Sequence, residues 1–155
     1  MKTLIELYQD LDQYRAFDKN KNNCVRFLET VDEIVSRKDA SSIKIFFKYF
    51  ENEGEYDWVF EEVMVALEQY DTKDFLTVFF ENSDEFISKA FNRSKYIFTV
   101  LMNGAQEFEI LKEKYKNFHN ELFEKLLDAI CELSSKHKIL IENLRAEKVK
   151  PMSVL

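Results

Sequence analysis

Apolar residues recur at spacings of three and four along nearly the whole chain, and only two glycines and one proline interrupt them. This spacing is the period of an α-helix, whereas half-buried strands alternate with a period of two. A sheet-rich fold would need more glycine and proline residues in the turns between its strands. The sequence therefore predicts an all-α protein, an irregular α–α superhelix or bundle of eight to nine helices with long C-terminal helices.

The chain has 155 residues, a length that one hydrophobic core can organise without disulfides or metals. We therefore expect a single helical domain over residues 1–147, followed by a frayed tail over 148–155. No fixed-period repeat of the armadillo or tetratricopeptide kind is present. Successive helices of similar length are expected to stack in an antiparallel way.

The first two helices are predicted over residues 2–17 and 24–37, on either side of a polar loop. In the second helix, four residues at helical spacing are expected to face the core: Val25, Leu28, Val31 and Val35. Gly54 should end the third helix, and the seventh should stop before Gly104. Residues that favour helix N-termini are predicted to cap the third, fifth, sixth and seventh helices: Asp39, Asp71 or Thr72, Ser83 and Ser94.

From residue 105 onwards a long amphipathic run begins, with apolar residues every three or four positions as far as Leu133. The pattern predicts a long helix that either reaches the 140s or bends at Ser134 and Ser135. The aromatic-rich faces of these last helices could support a homodimer.

Signals for catalysis are weak. His119 and His137 lack the spacings of Glu-x-x-His and His-Glu-x-x-His metal sites, and no phosphate-binding glycine loop is present. Cys24 and Cys131 stand far apart, which suggests buried thiols in a reducing compartment rather than a disulfide framework. We therefore predict no enzymatic activity, no metal and no cofactor.

The remaining composition points to the cytoplasm. Glu6 and Asp10 interrupt the stretch that would have to serve as a signal peptide, and no apolar segment is long enough to span a bilayer. Lysines near residue 115 alternate with glutamates, as on a solvated helix face. We expect the protein to bind neither a membrane nor, directly, a nucleic acid.

Acidity is concentrated between residues 51 and 85, where twelve acidic residues accompany a single basic one, Lys73. Acids near helix N-termini, such as Asp57 and Asp74, are accounted for by the helix dipole. Glu61, Glu62 and other acids lie too far along their helices for that explanation. The local charge therefore indicates either a solvated surface or one that meets a basic partner.

The fourth helix, predicted over residues 56–70, sharpens this question. Its apolar arc includes Val59, Phe60 and Val63, while Trp58 and Val65 fall on nearly the opposite side. Either these two residues pack against a second neighbouring helix, or they form a partner-binding hot spot. The partner-binding residues predicted on this basis are Asp57, Trp58, Glu61, Glu62, Val65, Glu68, Asp71 and Asp74.

Three stretches within residues 56–103 carry a family resemblance: "EEVMVALEQYD", "DFLTVFFENS" and "FTVLMN". They resemble the immunity protein 30 family, helical immunity proteins of bacterial polymorphic-toxin systems. The resemblance implies a non-enzymatic protein that binds and neutralises a cognate toxin domain, as in contact-dependent growth inhibition. Many such toxins are nucleases, whose substrate groove must be basic, so an acidic surface would suit the toxin.

Two other functions are open on the residues alone. A helical-repeat adaptor or scaffold would use the acidity for solubility and hold a peptide in a groove. A metal-dependent enzyme would use the carboxylate cluster, although "ENEGEYDWVFEE" lacks the Asp-rich start of a calcium-binding EF-hand loop.

Overall fold

The computed structural model describes residues 1–50 and 56–148, and every regular element within them is an α-helix. Ten helices follow one another in this part of the chain: α1 (Leu4–Tyr14), α2 (Asn22–Ser36), α3 (Ser42–Phe47), α4 (Asp57–Leu67), α5 (Thr72–Glu81), α6 (Ser83–Lys89), α7 (Phe91–Asn103), α8 (Ala105–Tyr115), α9 (Glu121–Cys131) and α10 (Ser135–Ala146). The all-α prediction is confirmed, with ten helices instead of eight or nine. The predicted stop at Gly54 and the tail after residue 148 lie outside the described residues.

The chain divides into two compact units, Met1–Val78 and Phe79–Leu155, and the boundary falls within α5. In the first unit, α2 packs against both α1 and α4. Aromatic rings fill the space between these helices, since Phe27 meets Phe17 and Tyr49 edge to face at centroid distances of 5.3 and 5.5 Å. This core holds α4 from one side.

In the second unit, α9 packs against α6, α7 and α10, while α7 also packs against α8. Its core is a cluster of phenylalanines in which Phe79 lies 4.7 Å from Phe98 and 5.1 Å from Phe86, centroid to centroid. Phe123 of α9 meets Phe98 at 5.1 Å. The abundance of phenylalanine in the sequence is thus used for core packing.

The face that α2 buries differs from the predicted one. Val25 is 55% exposed and Leu28 is half-buried, whereas Phe27 and Ile34 are fully buried. Val31 and Val35 are buried as predicted. The helix turns its larger apolar side chains, phenylalanine and isoleucine, towards the core because they remove more apolar surface from water than valine does.

Three of the predicted caps act elsewhere. Ser83 is the first residue of α6 rather than its cap, and its hydroxyl donates 3.2 Å to the carbonyl of Phe80. Ser94 lies inside α7, where its hydroxyl donates 2.7 Å to the carbonyl of Ala90, a bond that serine often makes one turn back along a helix. Asp39 accepts from the backbone N–H of Ser41 at 3.0 Å and so stabilises the turn before α3. Asp71 does cap α5, accepting from the N–H of Lys73 at 2.9 Å.

The long C-terminal run is divided into α8, α9 and α10. Asn120 accepts from the N–H of Phe123 at 2.9 Å and begins α9, while Ser134 accepts from the N–H of His137 at 3.2 Å and begins α10. These two caps satisfy N–H groups that a new helix leaves without a helical partner. The run from residue 105 is thus three helices and not one, and the bend given as one of two alternatives, at Ser134, is present. α7 ends before Gly104 as predicted.

Candidate partner-binding surface

The inner face of α4 fixes this helix in the first unit. Val59, Phe60 and Val63 are buried there, as the apolar arc predicts. The ring of Phe60 lies 6.4 Å from that of Phe17, and the guanidinium carbon of Arg15 sits 4.9 Å from its centroid. Such ring contacts and the cation–π contact restrict the rotation of α4 about its axis.

The outer face of α4 carries the two apolar side chains that the helical period places away from the core. Trp58 is 50% exposed and Val65 is 57% exposed. They are seven residues apart, so they lie on one line along the helix, two turns from each other. The alternative in which both pack against a second helix is therefore wrong, and a large aromatic side chain stands in solvent.

Carboxylates border this apolar pair. Glu61, Glu62 and Glu68 are all exposed. Within the described residues, none of the three makes a side-chain hydrogen bond or ion pair. Elsewhere on the surface, Glu109 pairs with Lys112 of α8 at 2.7 Å, and Glu113 pairs with Lys116, the residue after α8, at 3.4 Å. The carboxylates of α4 thus keep their full capacity to accept hydrogen bonds from outside.

The other predicted residues differ in their local roles. Asp57, in the first turn of α4, is half-buried and already has an interaction partner. Asp71 is exposed, but its carboxylate is occupied as the cap of α5. Asp74 is exposed in the first turn of α5, where the helix dipole favours an acid. Capping and the helix dipole therefore account for acids such as Asp71 and Asp74, but not for Glu61, Glu62 and Glu68.

One residue that positions this surface was not predicted. Lys38 follows α2 with a backbone φ of 54°, and its Nζ donates 2.9 Å to the carbonyl of Gln69, just beyond the end of α4. This bond joins the turn after α2 to the turn after α4. A lysine two residues past a helix gives no sequence signal of such a distant contact.

Other reactive side chains lie in ordinary surroundings. Burial raises the pKa of both thiols, Cys24 and Cys131, which is opposite to the activation that a nucleophilic cysteine needs. His119 is exposed, and His137 is half-buried with Nδ1 2.6 Å from the hydroxyl of Ser134. Among residues 1–50 and 56–148, no three histidines, cysteines or acids come together as a metal site would require.

No helix in the described part of the chain combines the length and the apolar character needed for crossing a membrane. The acids at residues 51, 53 and 55 fall outside the described residues. What is described is an exposed helix face with an aromatic residue, a branched aliphatic residue and unpaired carboxylates. Such a combination is typical of surfaces that bind other proteins.

The class suggested by fold and surface is therefore a helical protein-binding protein. The model of the immunity protein 30 family matches residues 13–111, well over half of the chain, and the chain belongs to this family. The resemblance seen over residues 56–103 is thereby confirmed and extends towards the N-terminus. The matched range includes the whole of α4 and α5 and ends within α8, before α9 and α10. No curated protein and no solved structure matches the chain.

Proposed function

We propose that this protein neutralises a cognate bacterial toxin domain by binding it, without catalysis, through the outer face of α4 and the start of α5. The observation that carries the proposal is the half-exposed Trp58 beside three carboxylates that have no partner within the described residues. Tryptophan is enriched in binding hot spots because it buries a large apolar area in one step. Membership of an immunity protein family gives the partner its class.

The acidic surface favours a toxin with a basic one. A nuclease holds phosphates in a basic groove, and carboxylates can occupy the same positions as an electrostatic substitute for nucleic acid. Opposite charges also speed the encounter and disfavour partners of the wrong charge. The toxin that fits these residues best is therefore a nuclease, met in the cytoplasm, where free thiols such as Cys24 persist.

The test is to co-express the protein with the toxin domain encoded immediately upstream and to measure growth and binding. Replacing Glu61, Glu62 and Glu68 together by lysine should abolish protection and weaken binding at least 100-fold, because each attraction becomes a repulsion. The helicity of the variant should be unchanged, since all three side chains are exposed.

A matched control reverses three exposed glutamates elsewhere: Glu29, Glu132 and Glu142. Glu132 is the residue after α9, as Glu68 is the residue after α4, and the change in net charge is the same. This control should keep protection. If both triple variants lose protection equally, net charge rather than the face of α4 governs binding, and the proposed surface is wrong.

A further inference from the structure

The outer face of α4 has the form of an apolar ridge with acidic slopes on both sides. Trp58 and Val65 lie about 10 Å apart along the helix axis, at 1.5 Å per residue. At about 100° per residue, Glu62 lies on one side of the line that joins them, and Glu61 and Glu68 lie on the other. All five side chains are exposed. The ridge is therefore acidic on either flank.

A flat partner surface would use this arrangement poorly. It would contact the ridge and leave at least one slope in water, where a charge pair contributes little. A concave partner can cover the ridge and both slopes at once. The carboxylates have no partners within the described residues, so their enclosure would not break any existing ion pair.

The exposed apolar pair on α7 does not share this arrangement. Tyr96 and Val100 lie one turn apart on α7 and are exposed, but the other exposed residues of this helix are asparagines, Asn92 and Asn103. That face offers no charge to specify a partner. The ridge of α4 differs because it defines both the shape and the charge of what covers it.

We propose that the toxin receives α4 in a groove with an apolar floor and arginine or lysine residues on both rims. Trp58 and Val65 lie on the floor, Glu62 contacts one rim, and Glu61 and Glu68 contact the other. This is the mode in which a helix lies in a groove and is held by anchors one and two turns apart. The inference rests on the proposed function and adds the geometry of the toxin's binding site.

The experiment measures the affinity of the full chain for the upstream-encoded toxin domain by titration calorimetry at two salt concentrations. Glu62→Gln and the pair Glu61→Gln with Glu68→Gln, tested separately, should each weaken binding about tenfold or more and each reduce its salt dependence. Trp58→Ala should weaken binding at least 30-fold. Tyr96→Ala, which removes an aromatic side chain of similar exposure, should change it less than twofold.

A second measurement reads the geometry directly. Photo-crosslinking side chains placed at positions 61 and 62 should attach to two different segments of the toxin, one on each rim. Circular dichroism and the unfolding temperature should match the wild type, because both positions are exposed. The two readouts do not depend on the toxin's enzymatic activity.

Four results would overturn the groove, and all but the last separate it from neutralisation itself. The interface is flat, although the toxin is still neutralised, if the substitutions on one slope leave binding unchanged. The same conclusion follows if the crosslinks from positions 61 and 62 reach a single segment. Neutralisation that survives every change on α4 moves the interface elsewhere. Failure of the wild type to bind or protect defeats the proposed function and the groove together.

Discussion

The hydroxyl of Tyr115 donates a hydrogen bond of 2.6 Å to Oε1 of Glu124 and joins the end of α8 to α9. Lys148 Nζ donates to the same oxygen at 2.6 Å, and Arg145 Nε donates to Oε2 at 3.2 Å. Burial and the bond to Glu124 raise the pKa of Tyr115, which stays protonated as the donor. One carboxylate thus connects α8, α9 and the C-terminal end of α10.

Glu124→Gln should destabilise the protein in a pH-dependent way. Burial alone would raise the pKa of Glu124, but hydrogen bonds from Lys148 and Tyr115 outweigh it and hold the pKa below its usual range. Ionised Glu124 therefore contributes stability above pH 5, which is lost as the pH falls below about 4. The side chain is 31% exposed, so we expect a cost of about 1–2 kcal/mol at pH 7 after allowing for solvent.

Urea unfolding at pH 7 and pH 3 measures this dependence. The difference between wild type and Glu124→Gln should shrink at low pH, because the unfolded chain then binds a proton at this carboxyl more readily than the folded protein does. Tyr115→Phe removes one donor and keeps the charge, and should cost about 1 kcal/mol at pH 7. A difference that stays constant from pH 7 to pH 3 would show that the charge of Glu124 does not contribute.

The amide of Asn120 should not be replaceable by a carboxylate, although aspartate caps helices equally well. Its oxygen caps α9, while its Nδ2 donates 2.7 Å to Oδ1 of Asp84 at the start of α6. Asn120→Asp keeps the cap but sets two carboxylates against each other. We expect a loss of about 1–2 kcal/mol at pH 7, measured by chemical unfolding. Adding Asp84→Asn should restore most of the lost stability. If the effects of the two substitutions simply add in the double variant, repulsion between the two carboxylates is not the cause.

Particular residues show which features of the fold the sequence can predict and which it cannot. Apolar spacing predicts the helices and the outward position of Trp58, because both depend on periodicity within one helix. Spacing alone leaves open whether the run after residue 105 bends at Ser134, and it does not predict the division at Asn120, since both residues act as caps only when the chain turns there. Nor does it separate Val25 from Phe27 on α2, because the wide apolar stripe allows either rotation and the packing against α1 and α4 decides.

In the candidate surface, too, some features can be predicted from the sequence and others depend on the folded structure. Its members could be predicted because the excess of acids and the position of Trp58 are properties of the sequence. That Asp71 caps α5 follows from its position just before this helix. That Glu61, Glu62 and Glu68 have no side-chain partner in the described residues depends instead on distances between elements. The contact of Lys38 with Gln69 spans 31 positions and leaves no local pattern.

Lys38 should tolerate glycine better than alanine. Its φ of 54° is the left-handed region, which costs an L-residue about 1–2 kcal/mol and glycine little. Both substitutions remove the bond to Gln69, so their difference isolates the backbone. Lys38→Gly should be about 1 kcal/mol more stable than Lys38→Ala in urea unfolding.

The control for Lys38 is Lys44, which is exposed within α3. There glycine should be the worse choice, by about 1 kcal/mol, because a helix interior favours alanine. An alanine variant at position 38 that equals the glycine variant would mean that the left-handed conformation is not retained in solution.

Trp58 is the only tryptophan in the chain, so its fluorescence reports the electrostatic potential at the face of α4. Anionic iodide should quench it less, and cationic caesium more, than they quench a free indole, because Glu61 and Glu62 repel the one and attract the other. Reversal of Glu61, Glu62 and Glu68 to lysine should invert this preference, measured at constant ionic strength near 0.1 M, where charges act over about 10 Å. The control reversal at Glu29, Glu132 and Glu142 should leave it unchanged. An equal effect of both variants would assign the potential to the net charge and remove the basis for a local acidic surface.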